Sequence, residues 1–302
     1  MKVLVTGVNG QLGHDVMIEL ASRGHTAIGS GSGPSYRGED AVSEMPYRQL
    51  DITDKTAVNQ LFSEEKPDAL VHCSSWTAVD DAEDPANRER VFALNVTGAD
   101  NLSRACESVG AKILYLSTDY VFDGQGTRPW QPDDRSFAPL NVYGQSKLGG
   151  ETAVARNTKR FFIVRISWAF GVNGKNFVKT MLRVGKNHDS VRVVDDQIGT
   201  PTYTKDLSRL LVDMIETEKY GYYHASNEGG YLSWADFTKE IFAQAGLKTR
   251  VVPVSTAEYG LSRAARPFNS RLDKSKLTAA GFVPLPDWRD ALRRYLHEIG
   301  EI

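Results

Sequence analysis

Cysteine is scarce in this chain. Its 302 residues hold two, Cys73 and Cys106, which form no CxxC pair and no disulfide framework. A long apolar run is missing as well: no stretch reaches the length needed to cross a bilayer. Met1 to Gly10 is a short apolar stretch broken by Gly7, Asn9 and Gly10, without the apolar core and cleavage site of a signal peptide. These absences predict a reduced, cytoplasmic protein with no membrane partner. An excess of one charge is also lacking. Thirty-six Lys and Arg stand against 38 Asp and Glu, and no basic stripe marks a nucleic-acid partner. A small anionic ligand needs only a few local cations and stays compatible. The six histidines are scattered without metal-ligand spacing, so no catalytic metal is expected.

What is present is an ordinary globular balance, 41% hydrophobic and 25% charged, in a length that suits one large or two smaller domains. The first half alternates short β-rich runs with helical patterns. Lys2–Thr6 reads as a buried strand, and Leu12, Val16 and Leu20 then recur on one helical face. Further strands are expected near Thr26–Ile28, Tyr47–Leu50, Ala69–His72, Lys112–Leu116 and Phe161–Arg165. Strands alternating with helices argue for βαβ units, and right-handed crossovers wind these into a Rossmann-type, doubly wound parallel sheet. Beyond Trp168 the rhythm changes to helices near 177–185, 206–216, 234–245 and 287–298 joined by short strands and turns. The expected organisation is therefore an α/β dinucleotide-binding domain, residues 1–167 with a returning segment near 195–222. A smaller mixed α/β substrate domain would comprise 168–194 and 223–302. Two long loops, 29–46 and 123–141, are either functional or surface decoration.

Gly7-Val8-Asn9-Gly10-Gln11-Leu12-Gly13 lies between the first strand and the first helix. Glycine lets the backbone turn tightly and approach a pyrophosphate, and the helix N-terminus offers free amides and partial positive charge. An ordinary Gly-rich turn is the plainer reading, and position at the first strand–helix junction favours the nucleotide site. NAD sites usually carry an acid at the end of the second strand to bind the ribose 2′-hydroxyl. Here Ile28-Gly29-Ser30-Gly31-Ser32 has none. Ser30, Ser32 and Arg37 are candidates to accept a 2′-phosphate, so NADPH is the expected cofactor, with NADH possible. Asp51 and Ile52 are placed to meet the adenine edge, and Ser74 and Ser75 are small enough to let the cofactor pass.

Tyr143-Gly144-Gln145-Ser146-Lys147 puts Tyr and Lys on one helical face, with Asn141 as the expected N-cap. A Tyr begins at a pKa of about 10, and a nearby ammonium would bring it toward a value useful for a general acid. A ketone that accepts hydride needs a proton on its oxygen, which Tyr143 can donate. YxxxK alone occurs often by chance on surface helices. Here it follows Leu116-Ser117-Thr118-Asp119-Tyr120, a strand end carrying hydroxyls, so Thr118, Tyr143 and Lys147 read as a triad on adjacent elements.

The glycine loop, Ser117-Thr118-Asp119-Tyr120-Val121-Phe122-Asp123-Gly124 and Tyr143-xxx-Lys147 together resemble the dTDP-4-dehydrorhamnose reductase family of extended short-chain dehydrogenases. So do Trp76–Asp80, Arg165–Trp168 and Asp195–Thr202. The resemblance covers nearly the whole chain. It implies reduction at C4 of dTDP-4-dehydro-L-rhamnose to dTDP-L-rhamnose, for cell-surface polysaccharide synthesis. It also implies Tyr143 as proton donor, Lys147 on the nicotinamide ribose and Thr118 on the reacting oxygen. Asp119 and Tyr120 would border the sugar, Thr77 and Val79 would line its pocket, and Trp168 would pack on the sugar or nucleotide. Related dehydratases tend to carry Glu where Tyr120 stands, which favours simple reduction here. Arg266 and Arg271 offer guanidinium groups suited to a substrate pyrophosphate, or are simply solvated. Cys73 and Cys106 read as core residues, and Asn95 as a structural hydrogen-bond partner in its helix. Some family members bridge subunits with a divalent ion held by carboxylates near the chain end. Only Glu298 and Glu301 are available here, so no bridging metal is expected, and monomer and homodimer both stay open. Two alternatives remain: an epimerase or dehydratase with tightly held NAD, and a non-catalytic regulatory subunit of S-adenosylmethionine synthesis.

Overall fold

The computed structural model describes residues 1–302. Six strands of the first half fall where the apolar runs lie: β1 (Lys2–Thr6), β2 (Thr26–Gly31), β3 (Tyr47–Gln49), β4 (Ala69–His72), β5 (Lys112–Thr118) and β6 (Phe161–Ile166). The helices between them are α1 (Gln11–Ser22), α2 (Lys55–Glu65), α3 (Pro85–Phe92), α4 (Gly98–Val109) and α5 (Val142–Asn157). A seventh strand, Gly221–Ala225, pairs in parallel with β6. From that strand the sheet runs β6, β5, β4, β1, β2, β3, every neighbour parallel. Strand order reverses between β1 and β4, and the carboxyl ends there open a crevice.

The sheet is buried on both faces. Val3 and Val5 of β1 pack with Val16, Met17 and Leu20 of α1. Leu4, pointing the other way, packs with Ile28, Phe62 and Leu102. Helix Thr204–Ile215 returns from the second half to pack on α1. Thr204 Oγ1 donates to Asp15 Oδ2 at 2.6 Å and Arg23 pairs with Asp213. Three further helices, Phe177–Asn187, Trp234–Gln244 and Trp288–Glu298, surround a separate core containing Phe170, Tyr203, Phe237, Trp288 and Tyr295. No helix is long and apolar enough to cross a membrane.

Candidate active site

A cleft of about 1050 Å³ lies over the carboxyl ends of the strands, between the sheet and the second half of the chain. One end is the glycine loop. Gly7 has φ +75°, and a Cβ there would come within 2.8 Å of Ser74 N. A Cβ on Gly13 would run into the Gly7 carbonyl. Gly10 caps α1 without a side chain, and no acid sits in the first turn. The first-turn amides and the positive end of the helix are therefore left for an anion. Asn9, Gly10, Gln11, Leu12, Ser32, Arg37, Asp51, Ile52, Ser74 and Ser75 all line this same cleft. Asn9 Oδ1 accepts from the Arg37 amide at 2.8 Å, holding the 29–46 loop beside the glycine loop. The cradle fits a dinucleotide pyrophosphate.

Ser30 is the exception. It is fully buried, and its hydroxyl donates to Val5 O at 3.3 Å. It faces the neighbouring strand, not the cleft, so the expected 2′-phosphate role is withdrawn and rests on Ser32 and Arg37.

The other end of the cleft holds Thr118, Tyr143 and Lys147 with Thr77, Val79, Asp119, Tyr120, Trp168 and Arg266. Asn141 caps α5, accepting from Gly144 N at 2.8 Å, and so places Tyr143 in the first turn. Lys147, 3% exposed, follows one turn later with its ammonium 4.2 Å from the centroid of the Tyr115 ring. The electrostatics differ from the sequence expectation. Burial pushes the Tyr143 phenol up, and the group that draws it back down is the Thr118 hydroxyl, not Lys147. Burial lowers Lys147 to about 7. A low-dielectric site disfavours both charged forms, which holds the proton on the phenol and loosens it on the amine.

Glu151 lies one turn beyond Lys147, but its carboxylate is held elsewhere. Arg165 grips it through Nε and Nη2, both at 2.8 Å, and Ser117 donates at 2.5 Å. Arg266 Nη2 pairs with Asp80 at 2.6 Å, and its Nη1 reaches the Tyr120 hydroxyl at 3.4 Å. Trp168 has φ +50°, a left-handed backbone rare for a bulky residue. That turn lays its indole on Trp234, ring centroids 3.7 Å apart.

A family model described as RmlD substrate binding domain matches residues 1–300. A dTDP-4-dehydrorhamnose reductase of Streptomyces griseus is 41% identical over 298 residues, 96% of this chain and 91% of that protein. The crystal structure of a dTDP-4-dehydrorhamnose reductase from Clostridium acetobutylicum superposes with a TM-score of 0.89 at 37% identity, covering 99% of this chain and all of that one. The enzyme of that name from Bacillus anthracis, solved in complex with NADP, gives a TM-score of 0.85 at 39% identity, with coverage of 99% and 100%. This chain belongs to the dTDP-4-dehydrorhamnose reductase family.

Within that family frame, two further expectations need correcting. Arg271 is not in the cleft: Nη1 donates to Asn269 at 3.1 Å and the guanidinium lies 6.0 Å from the Tyr231 ring. Asn95 does not serve its own helix. It accepts from Trp76 N at 2.7 Å and donates to Ser146 at 2.8 Å, tying the loop after β4 to α5 beside Lys147. Of the two carboxylates near the chain end, Glu298 accepts from Tyr203 and Lys205, and Glu301 pairs with Lys186 at 2.6 Å. Sequence reasoning missed Gly174, Lys175, Phe177 and Trp234, which all line the cleft. Asn173 and Asn176 reach Asn9 and Gln11 from the same loop. The one local sign was a Gly-x-x-Gly-Lys run, Gly171 to Lys175, before a helix.

Proposed function

We propose that this chain reduces the C4 keto group of dTDP-4-dehydro-L-rhamnose with NADPH, NADH being the second choice, and so yields dTDP-L-rhamnose. Residues 1–167 with the returning helix and strand hold the cofactor, and the rest of the second half holds the sugar nucleotide. The observation that carries this reading is that Thr118, Tyr143 and Lys147 share one cleft with the glycine loop, so donor and acceptor can meet over the sheet. The names of the relatives and the NADP in the Bacillus anthracis enzyme support it.

The reduced nicotinamide supplies the hydride. The chain supplies position and a proton. Gly7 to Gly13 and the α1 amides bind the pyrophosphate, while Ser32 and Arg37 meet the ribose phosphate. Lys147 donates to the ribose hydroxyls, which are the acceptors its buried amine lacks in the protein. Thr77, Val79, Tyr120 and the Trp168–Trp234 stack enclose the sugar nucleotide and exclude water, and Arg266, steadied by Asp80, faces its phosphates. As charge develops on the carbonyl oxygen, the Tyr143 phenol delivers its proton there. A buried phenol stays protonated until that moment.

The test is loss of reduced-nicotinamide absorbance when purified protein meets NADPH and dTDP-4-dehydro-L-rhamnose, with the product identified as the alcohol. A redox-neutral conversion of the sugar without net NADPH use would instead assign an epimerase or dehydratase.

A further inference from the structure

Residues 32–40 carry Ser32 and Arg37 to the cleft but form no helix or strand, so side-chain bonds must hold them in place. At the start of the segment, Gln49 Nε2 donates to Ser32 O at 3.0 Å and the Tyr47 hydroxyl to Gly33 O at 2.8 Å. In the middle, the Arg37 amide donates to Asn9 at 2.8 Å. The far end is fastened to α1 by His14, which lies outside the cleft.

The His14 ring stacks on Tyr36, the residue before Arg37, with centroids 6.3 Å and planes 18° apart. Its Nε2 meets Asp40 Oδ2 at 3.2 Å, and its Nδ1 meets Asp15 Oδ1 at 3.1 Å. The Tyr36 hydroxyl donates to the same Asp40 oxygen at 2.9 Å, while Asp40 Oδ1 accepts from Val42 N and caps the short helix Ala41–Glu44. A Cβ on Gly38 would come within 2.5 Å of the Tyr36 ring, so the chain closes tightly around that ring. Tyr36, Gly38 and Asp40 thus form one clasp, fastened on His14.

Both ring nitrogens of His14 face carboxyl oxygens. A neutral imidazole has one N–H and donates to one of them, whereas the imidazolium donates to both. The Asp15 hydrogen bond and the charges of Asp15 and Asp40, opposed in part by burial, hold His14 above its ordinary value of 6.5. Asp15 gives its other oxygen to Thr204. Glu298, from helix Trp288–Glu298, also senses the His14 charge, and its own carboxylate is bonded to Tyr203 and Lys205.

We infer that His14 is a positioning residue for cofactor choice: as an imidazolium it clamps Asp40 to α1 and so sets Arg37 and Ser32 against the 2′-phosphate of NADPH. The inference rests on the reading of Ser32 and Arg37 as the 2′-phosphate site. When pH rises and His14 loses its proton, one of its two bonds is lost, the clasp loosens, and the preference for NADPH over NADH declines.

The experiment is fluorescence titration of NADPH and NADH, from about pH 6 to 9, on wild type, His14→Gln, Asp40→Asn, the double variant and Arg37→Ala, with thermal unfolding as the check on folding. The Asp40 side chain is 45% exposed, so the ion pair has a modest effect. At the low end of the range each single variant should bind NADPH about three- to fivefold more weakly and NADH within about 1.5-fold of wild type. The double variant should be no weaker than the singles, because both remove one contact. The wild-type preference, divided by that of His14→Gln at each pH, should decline as pH rises. That division cancels the ionisation of the phosphate itself, which falls near pH 6. An unchanged NADPH-to-NADH ratio in either single variant overturns the inference. So do equal losses for both cofactors, additive losses in the double variant, or the same pH dependence in wild type and His14→Gln. If Arg37→Ala leaves the ratio unchanged, the 2′-phosphate reading itself falls, and the inference with it, which is a distinguishable result.

Discussion

The ammonium of Lys147 rests 4.2 Å from the centroid of the Tyr115 ring, while the carboxylate one turn along its own helix, Glu151, is bound by Arg165 and Ser117. A buried lysine without an anion is a group kept for a ligand at the expense of stability. Its folded pKa, about 7, lies below its ordinary value of 10.5. The unfolded chain therefore binds more protons between those two pH values, and wild-type stability rises with pH across that window. Lys147→Met removes the penalty. We expect this variant to be more stable than wild type at pH 7 by at most about 4 kcal/mol, the gap closing as pH approaches 10.5. Denaturant melts at pH 7, 8.5 and 10 measure it. Activity is expected to be lost.

Tyr143→Phe removes a proton needed only in the transition state. Turnover should drop by about 10²- to 10⁴-fold while NADPH affinity stays within about twofold. Steady-state kinetics with fluorescence titration of NADPH checks this, and wild-type turnover in the variant would give the acid's role to another group.

Arg37 and Ser30 make a matched pair of tests. Arg37 lines the cleft, so Arg37→Ala should lower the preference for NADPH over NADH by about 10-fold or more, the scale of a charge-assisted hydrogen bond. Ser30 is buried against Val5, so Ser30→Ala should leave the ratio of kcat/KM for the two cofactors unchanged.

Glu151 and Arg165 are 2% and 0% exposed. Arg165 also donates to Pro132 O at 3.1 Å, within the 123–141 loop, and lies 5.0 Å from the Phe122 ring. Glu151→Ala leaves that guanidinium buried and uncompensated. The expected loss is about 3–5 kcal/mol of stability, read from urea melts.

Much of the fold is legible because its signals are local. The strand runs from Lys2, Ala69, Lys112 and Phe161 begin where expected. The helix expected near 177–185 runs to Asn187, and the expected Asp206 start lies two residues inside its helix. The strand Gly221–Ala225 was not singled out, since its Tyr222, Tyr223 and His224 are ordinary until β6 pairs with them. Ser30 was misread for a related reason. In a strand buried on both faces, alternation does not say which side meets a cleft.

What the sequence alone determined is the set of short-range relationships: the glycine loop between strand and helix, Tyr143 and Lys147 one turn apart, and Thr118 at a strand end. Those follow from fixed helix and strand periods. Only the tertiary structure decided the partnerships across long stretches of chain. It turned Arg271 out of the cleft and brought Trp234 in. It gave Glu151 to Arg165, left Lys147 without a carboxylate, and buried Asp119 with one bare oxygen. Burial and pairing depend on which distant side chains exclude water from a group, and no local pattern carries that information.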